Sequence, residues 1–117
     1  MPKLLMIDDD VNLLSYLGEE LVEIGFQVTT LTNGNDAVVL TSREHFDLIL
    51  LDMIMPDMDG IQVARLLKEK TPSTPIIGLT GYMGRDCITQ AKELHLQMLT
   101  KPIVISTLVS LIKEVTK

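Results

Sequence analysis

The sequence predicts an α/β domain built on a parallel sheet, and three observations carry that reading. Short apolar runs alternate five times with segments whose apolar residues recur every three or four positions. The connections between them are short, so successive strands run parallel through helical crossovers and the sheet is covered on both faces. At 117 residues the chain is long enough for one core and too short for two, since domains usually hold roughly 100–150 residues.

The first strand is Leu4-Leu5-Met6-Ile7, a continuous apolar run ended by charge, as expected of a strand buried on both faces. Val11, Leu14, Leu17, Leu21 and Ile24 then form a helical face, with Asp10 as N-cap and Gly25 as stop. Phe26 to Leu31, rich in β-branched residues, is the second strand. Asn33-Gly34 turns the chain into a helix spanning 35–42. Phe46 to Leu51 is the most apolar run and the expected central strand, ending at Asp52. A turn-rich loop from Pro56 to Gly60 leads into a helix over 61–70, stopped by Pro72 and Pro75. Residues 75–80 form the fourth strand. A loop over 81–84 follows, then a helix using Cys87 or Ile88, Ala91 and Leu94. Residues 97–100 are a brief fifth strand broken by Lys101-Pro102, and Ile105, Leu108, Ile112 and Val115 face the core from a closing helix.

Composition narrows the function classes. Hydrophobic residues at 46% and charged residues at 22% suit a soluble globular protein rather than a disordered or fibrous one. The formal charge of −6, the 3% aromatic content and the absence of Trp argue against nucleic acid as a direct partner. A single cysteine, Cys87, excludes an internal disulfide or a Cys-rich zinc site and fits a reducing, cytoplasmic setting. No apolar run approaches the ~20 residues that span a bilayer, and no secretion signal is legible at the start. No repeat, linker or low-complexity tract divides the chain, which reads as one domain over 1–117.

In open parallel sheets, ligands bind at the carboxyl ends of the strands. Those ends carry Asp8, Asp9 and Asp10, then Asp52, then Thr80, then Lys101. Taken singly each has a structural explanation: Asp10 as helix cap, Asp52 as loop acid, Thr80 as strand residue, Lys101 as surface lysine. Converging on one edge, they match the needs of phosphoryl transfer. Carboxylates held together call for a cation such as Mg²⁺, an ionised carboxylate can attack phosphorus, and an ammonium and a hydroxyl can hold phosphoryl oxygens. Pro102 is either a strand breaker or the second residue of a cis Lys101-Pro102 bond.

The motifs Ile7-Asp8-Asp9-Asp10, the run from Leu50 to Gly60, Leu79-Thr80-Gly81 and Thr100-Lys101-Pro102 together resemble the receiver domains of two-component response regulators, similar to the chemotaxis-type single-domain regulators. The resemblance spans the chain, and four motifs in register make it specific. It implies a flavodoxin-like, doubly wound sheet of order 2-1-3-4-5 with five helices. It further implies that Asp52 is the phosphoacceptor, charged by a histidine kinase or phosphotransfer protein. Mg²⁺ would be held by Asp9, Asp52 and the backbone carbonyl of Ile54, with Asp8 acting through water. Thr80 would be the switch hydroxyl and Lys101 the phosphoryl-binding cation. Such a domain assists its own phosphorylation and dephosphorylation but is not an enzyme with a separate substrate. Its partners would dock on the face of the fourth helix, fifth strand and fifth helix, and homodimerisation is a further arrangement the family allows.

The chain also departs from the family pattern. Met98 stands where an aromatic switch partner is common, Leu94-His95-Leu96-Gln97 replaces a frequent Gly-Ala turn, and Ile103 replaces a frequent Phe. Ile54 and Tyr82 flank the expected path of the hydrolytic water without supplying a base, so the phosphoryl form should be long-lived. Three other classes compete. A phosphatase resembling the haloacid dehalogenase group, built on Asp8-x-Asp10, leaves the Asp52 motif unexplained and lacks a visible cap domain. A flavodoxin-like cofactor binder conflicts with three aspartates where a phosphate would sit. An interaction module that signals without phosphate is kept open by Met98.

Overall fold

The computed structural model describes residues 2–56, 58–81 and 84–116. Its elements are β1 (Lys3–Ile7), α1 (Val11–Ile24), β2 (Gln27–Leu31), α2 (Gly34–Thr41), β3 (Leu48–Asp52), β4 (Ile54–Met55), β5 (Met58–Asp59), α3 (Gly60–Lys70), β6 (Ile76–Thr80), α4 (Arg85–Glu93), β7 (Gln97–Thr100) and α5 (Ile105–Val115). Five parallel strands form one sheet in the order β2-β1-β3-β6-β7. Without the small β4-β5 hairpin this is the expected 2-1-3-4-5, with α/β architecture of flavodoxin-like, doubly wound type.

The apolar runs separate onto the two faces with the period of two that a strand imposes. Leu5 and Ile7 of β1, with Ile49 and Leu51 of β3, meet Ala37, Ile61, Ala64, Leu67 and Ala91 from α2, α3 and α4. Leu4, Met6, Leu48 and Leu50 meet Leu14, Leu17, Leu21, Leu108 and Ile112 from α1 and α5. Every residue of β3 is buried, which is why a run with no polar alternation serves as the central strand.

Local chemistry explains the boundaries that differ from expectation. The Asn33 side chain accepts from the Asp36 amide at 2.9 Å, so Asn33-Gly34 caps α2 and Gly34 is already helical. Phe26 precedes β2, because its amide closes onto the Leu21 carbonyl at the end of α1. Phe46 is buried but lies outside β3: Asp47 pairs with Lys3 through both backbone and side chain, and the strand starts at Leu48. The loop expected over 56–60 contains one arm of the antiparallel β4-β5 hairpin, in which Met55 pairs with Met58. In α4 only Ala91 is buried, while Cys87 and Ile88 are exposed.

Gly18 stands in the interior of α1, where glycine costs roughly 0.5–1 kcal/mol relative to alanine. A Cβ there would meet Thr30 Cγ2 at 3.8 Å and Val28 Cγ1 at 4.0 Å, ordinary contact distances. Packing does not require this glycine. Gly18→Ala is accordingly expected to raise the urea midpoint, by the equivalent of about 0.5–1 kcal/mol with an unchanged m-value.

Candidate functional site

The carboxyl edge of the sheet gathers the site because β1, β3, β6 and β7 are neighbours in that order. Asp8 and Asp9 follow β1, Asp52 is the last residue of β3, Thr80 the last of β6, and Lys101 follows β7. Asp10 separates from this group: its carboxylate accepts from the Leu13 amide at 3.1 Å and caps α1. The simple explanation was right for Asp10.

Asp8 and Asp52 are 2% and 3% exposed, whereas Asp9 is open to solvent. One carboxylate oxygen from each of the three lies within 4.8 Å of the others. Lys101 Nζ donates to Asp8 Oδ2 at 3.0 Å and stands 3.5 Å from Asp52 Oδ2. Backbone amides orient the acids: Asp10 N–H donates to Asp8 Oδ1 at 2.9 Å and Ile54 N–H to Asp52 Oδ1 at 3.1 Å. Lys101 N–H donates to the Thr80 carbonyl at 2.7 Å, which ties the lysine to the end of β6, where Thr80 is buried. The Lys101-Pro102 bond is cis.

The electrostatics follow from burial with incomplete neutralisation. Burial pushes the Asp52 carboxyl up to about 6, and the Asp8 charge pushes in the same direction. The Ile54 amide and Lys101 offset only part of this. For Lys101, burial pulls downward, but the bond to Asp8 and the charges of Asp52 and Asp8 prevail and hold it above its ordinary value. Three carboxylates and one ammonium leave an excess of hard, negative oxygen donors, so the residues present fit a small divalent cation such as Mg²⁺.

With this geometry established, comparison with known proteins decides the family. The model of the response regulator receiver domain matches residues 4–113. This chain belongs to the response regulator receiver domain family. The receiver is 33% identical to the response regulator receiver protein CpdR of Brucella abortus (strain 2308), over 88% of this chain and 94% of that one. It is 34% identical to the transcriptional regulatory protein GlrR of Escherichia coli (strain K12), over 86% of this chain but only 23% of that protein, so the receiver spans about a quarter of that relative. Among solved structures it resembles the chemotaxis protein CheY4 of Vibrio cholerae, with 26% identity, 98% coverage of both chains and a TM-score of 0.89. The receiver is a module of two-component signalling. Among its described residues no helix is long and apolar enough to cross a membrane.

The structure adds three close pairs that sequence reading did not single out. Met58 covers Gly34 and accepts its N–H at sulfur at 3.1 Å, joining the β4-β5 hairpin to the start of α2. Gly60 lies against the backbone of Met53, directly after Asp52. Met98 lies across Gly78, its register partner: a Cβ at Gly78 would stand 2.6 Å from Met98 Sδ. Beside Met98 a cavity of about 390 Å³ opens under α4, lined in part by Thr80, Ile88, Ala91 and Leu96. Tyr82, named above beside the water path, lies outside the described residues.

Proposed function

We propose that Asp52 accepts a phosphoryl group from a phosphohistidine on a histidine kinase or phosphotransfer protein, and that the acyl phosphate changes which partner the domain binds. One observation carries this reading: a buried, amide-oriented carboxylate beside two further carboxylates and a lysine, all at the carboxyl edge. An Asp52 carboxylate oxygen attacks phosphorus, the P–N bond breaks, and its electron pair returns to the donor imidazole, which takes up a proton. Lys101 sits where it can shift from the two carboxylates to the incoming phosphoryl oxygens, and Thr80 holds a hydroxyl at the same edge. Asp9, Asp52 and the Ile54 carbonyl would hold Mg²⁺ directly and Asp8 through water; the cation would neutralise phosphoryl charge.

The phosphoryl group adds about −1.5 to −2 charges to an edge already rich in acid, and that charge biases Lys101 and Thr80 between two arrangements. Met98 takes the position of the usual aromatic partner, and the cavity beside it gives this flexible side chain room to follow Thr80. The output partner or domain would then read the α4-β7-α5 face. In this reading residues 1–117 act as one cytoplasmic receiver domain, alone or as a dimer, and transcriptional control belongs to it only through other domains or partners.

Intact mass after incubation with acetyl phosphate tests the reading. One phosphoryl adduct is expected with Mg²⁺ and none with EDTA, with formation slowed on the order of 10²-fold in Lys101→Ala, the scale of losing one charge-stabilising donor. An adduct that forms equally well in EDTA contradicts it. The exposed Ile54 side chain offers no base to water. Ile54→Asn is therefore expected to hasten phosphoryl loss several-fold in a time course, and unchanged or slower loss would remove Ile54 from the account.

A further inference from the structure

We infer that the groove between α1 and β2 is a docking site for a basic amphipathic helix of a partner protein. The groove has a volume of about 530 Å³ and is floored by Gly18, Val28 and Thr30. Val11 and Val22 rim it and are 64% and 56% exposed, among the most exposed large apolar residues described. Positions 11, 15, 18 and 22 recur at spacings of four and three, so Val11, Ser15, Gly18 and Val22 make one stripe along α1. At 1.5 Å per residue this stripe runs roughly 16 Å, about three helical turns.

Gly18 is what keeps the groove open. It weakens α1, and no close contact with Val28 or Thr30 demands it.

Charge identifies the occupant. Glu19 and Glu23 line the groove, and neither α1 nor β2 contains a lysine or arginine. Between residues 4 and 42 the chain has seven acidic residues and no Lys or Arg. A helix presenting apolar side chains every three or four residues, flanked by Lys or Arg, matches both the apolar floor and the acidic rim. A second copy of this chain fits poorly: its net charge is −6, and a three-turn stripe falls well short of the roughly 800 Å² per partner of a standard interface. The groove lies on α1 and the outer strand, away from the α4-β7-α5 face. The inference does not depend on phosphorylation.

The test uses the unphosphorylated protein and a fluorescein-labelled 15-residue helical peptide with leucines at three- and four-residue spacing and lysines elsewhere, read by anisotropy and by amide chemical shifts. Saturable binding is expected, with shifts concentrated in 11–32 and no binding of the same peptide with Glu in place of Lys. Glu19→Lys with Glu23→Lys should weaken binding at least tenfold. Gly18→Leu, which fills the groove without changing charge, should do the same. Should Gly18→Leu fail to fold, Val11→Ser with Val22→Ser removes the exposed rim from positions that folding tolerates, again with at least tenfold loss. Binding that survives the groove-filling and rim variants reports unspecific charge attraction and overturns the proposal. Shifts centred elsewhere, or self-association of the peptide-free protein through 11–32, also overturn it.

Discussion

Asp52→Asn is expected to stabilise the metal-free protein at pH 7.5, by on the order of 2 kcal/mol in urea unfolding. In the fold, burial and Asp8 raise the Asp52 carboxyl from 3.8 to about 6. The native state thus binds its proton more tightly than the unfolded chain. Stability falls as pH rises from about 4 to 6, and above 6 the full cost of the buried charge is present. Asparagine keeps an oxygen for the Ile54 amide and removes the charge. The gain in the variant should therefore be full above pH 6 and gone below pH 4. Saturating Mg²⁺ should narrow it, since a cation held by the native carboxylate cluster, as proposed above, would stabilise the parent protein by mass action. A variant less stable than the parent in EDTA at neutral pH would show that Lys101 neutralises the cluster fully, and the argument for a cation would lose its electrostatic basis.

Gly60→Ala is expected to be among the most damaging single-methyl changes in the chain, costing about 3 kcal/mol. A Cβ at this position would stand 2.6 Å from Met53 Cα and 2.8 Å from Met53 C, and closer still to the Met53 carbonyl oxygen. These are backbone atoms of the residue after Asp52, so relief requires moving the chain that aims the carboxylate. Phosphoryl acceptance should fall together with the unfolding midpoint. Gly81→Ala provides the contrast, because among the described residues nothing lies within 4 Å of its Cβ position and the change should be nearly neutral. Equal effects of the two substitutions would refute the packing argument.

What could be read from sequence was what local chemistry decides. Leu4 to Ile7 and Leu48 to Leu51 announce buried strands because no polar alternation interrupts them, and the acids that end them mark the edge where the site forms. Asp10 and Gly25 announce the ends of α1 for the same local reasons, a capping carboxylate and a residue at φ 122°. The β4-β5 hairpin was not legible, since strands of two residues are too short to show a period. Nor were the Gly34-Met58, Gly60-Met53 and Gly78-Met98 contacts, which depend on how separate elements approach. In the site, Asp8, Asp9, Asp52 and Lys101 were individually legible, and their shared geometry came from the order of β1, β3, β6 and β7.

The most direct test of Asp52 as the acceptor is to locate the phosphoryl group. Borohydride reduces an aspartyl phosphate to homoserine, so trapping the acetyl phosphate-treated, Mg²⁺-loaded protein and mapping its peptides by tandem mass spectrometry reads the acceptor position itself. Homoserine at position 52, absent from EDTA-treated protein, is the result expected of a buried carboxylate aimed at this edge. Homoserine at position 8 or 9, with position 52 unmodified, would contradict the account and move the nucleophile to the first strand.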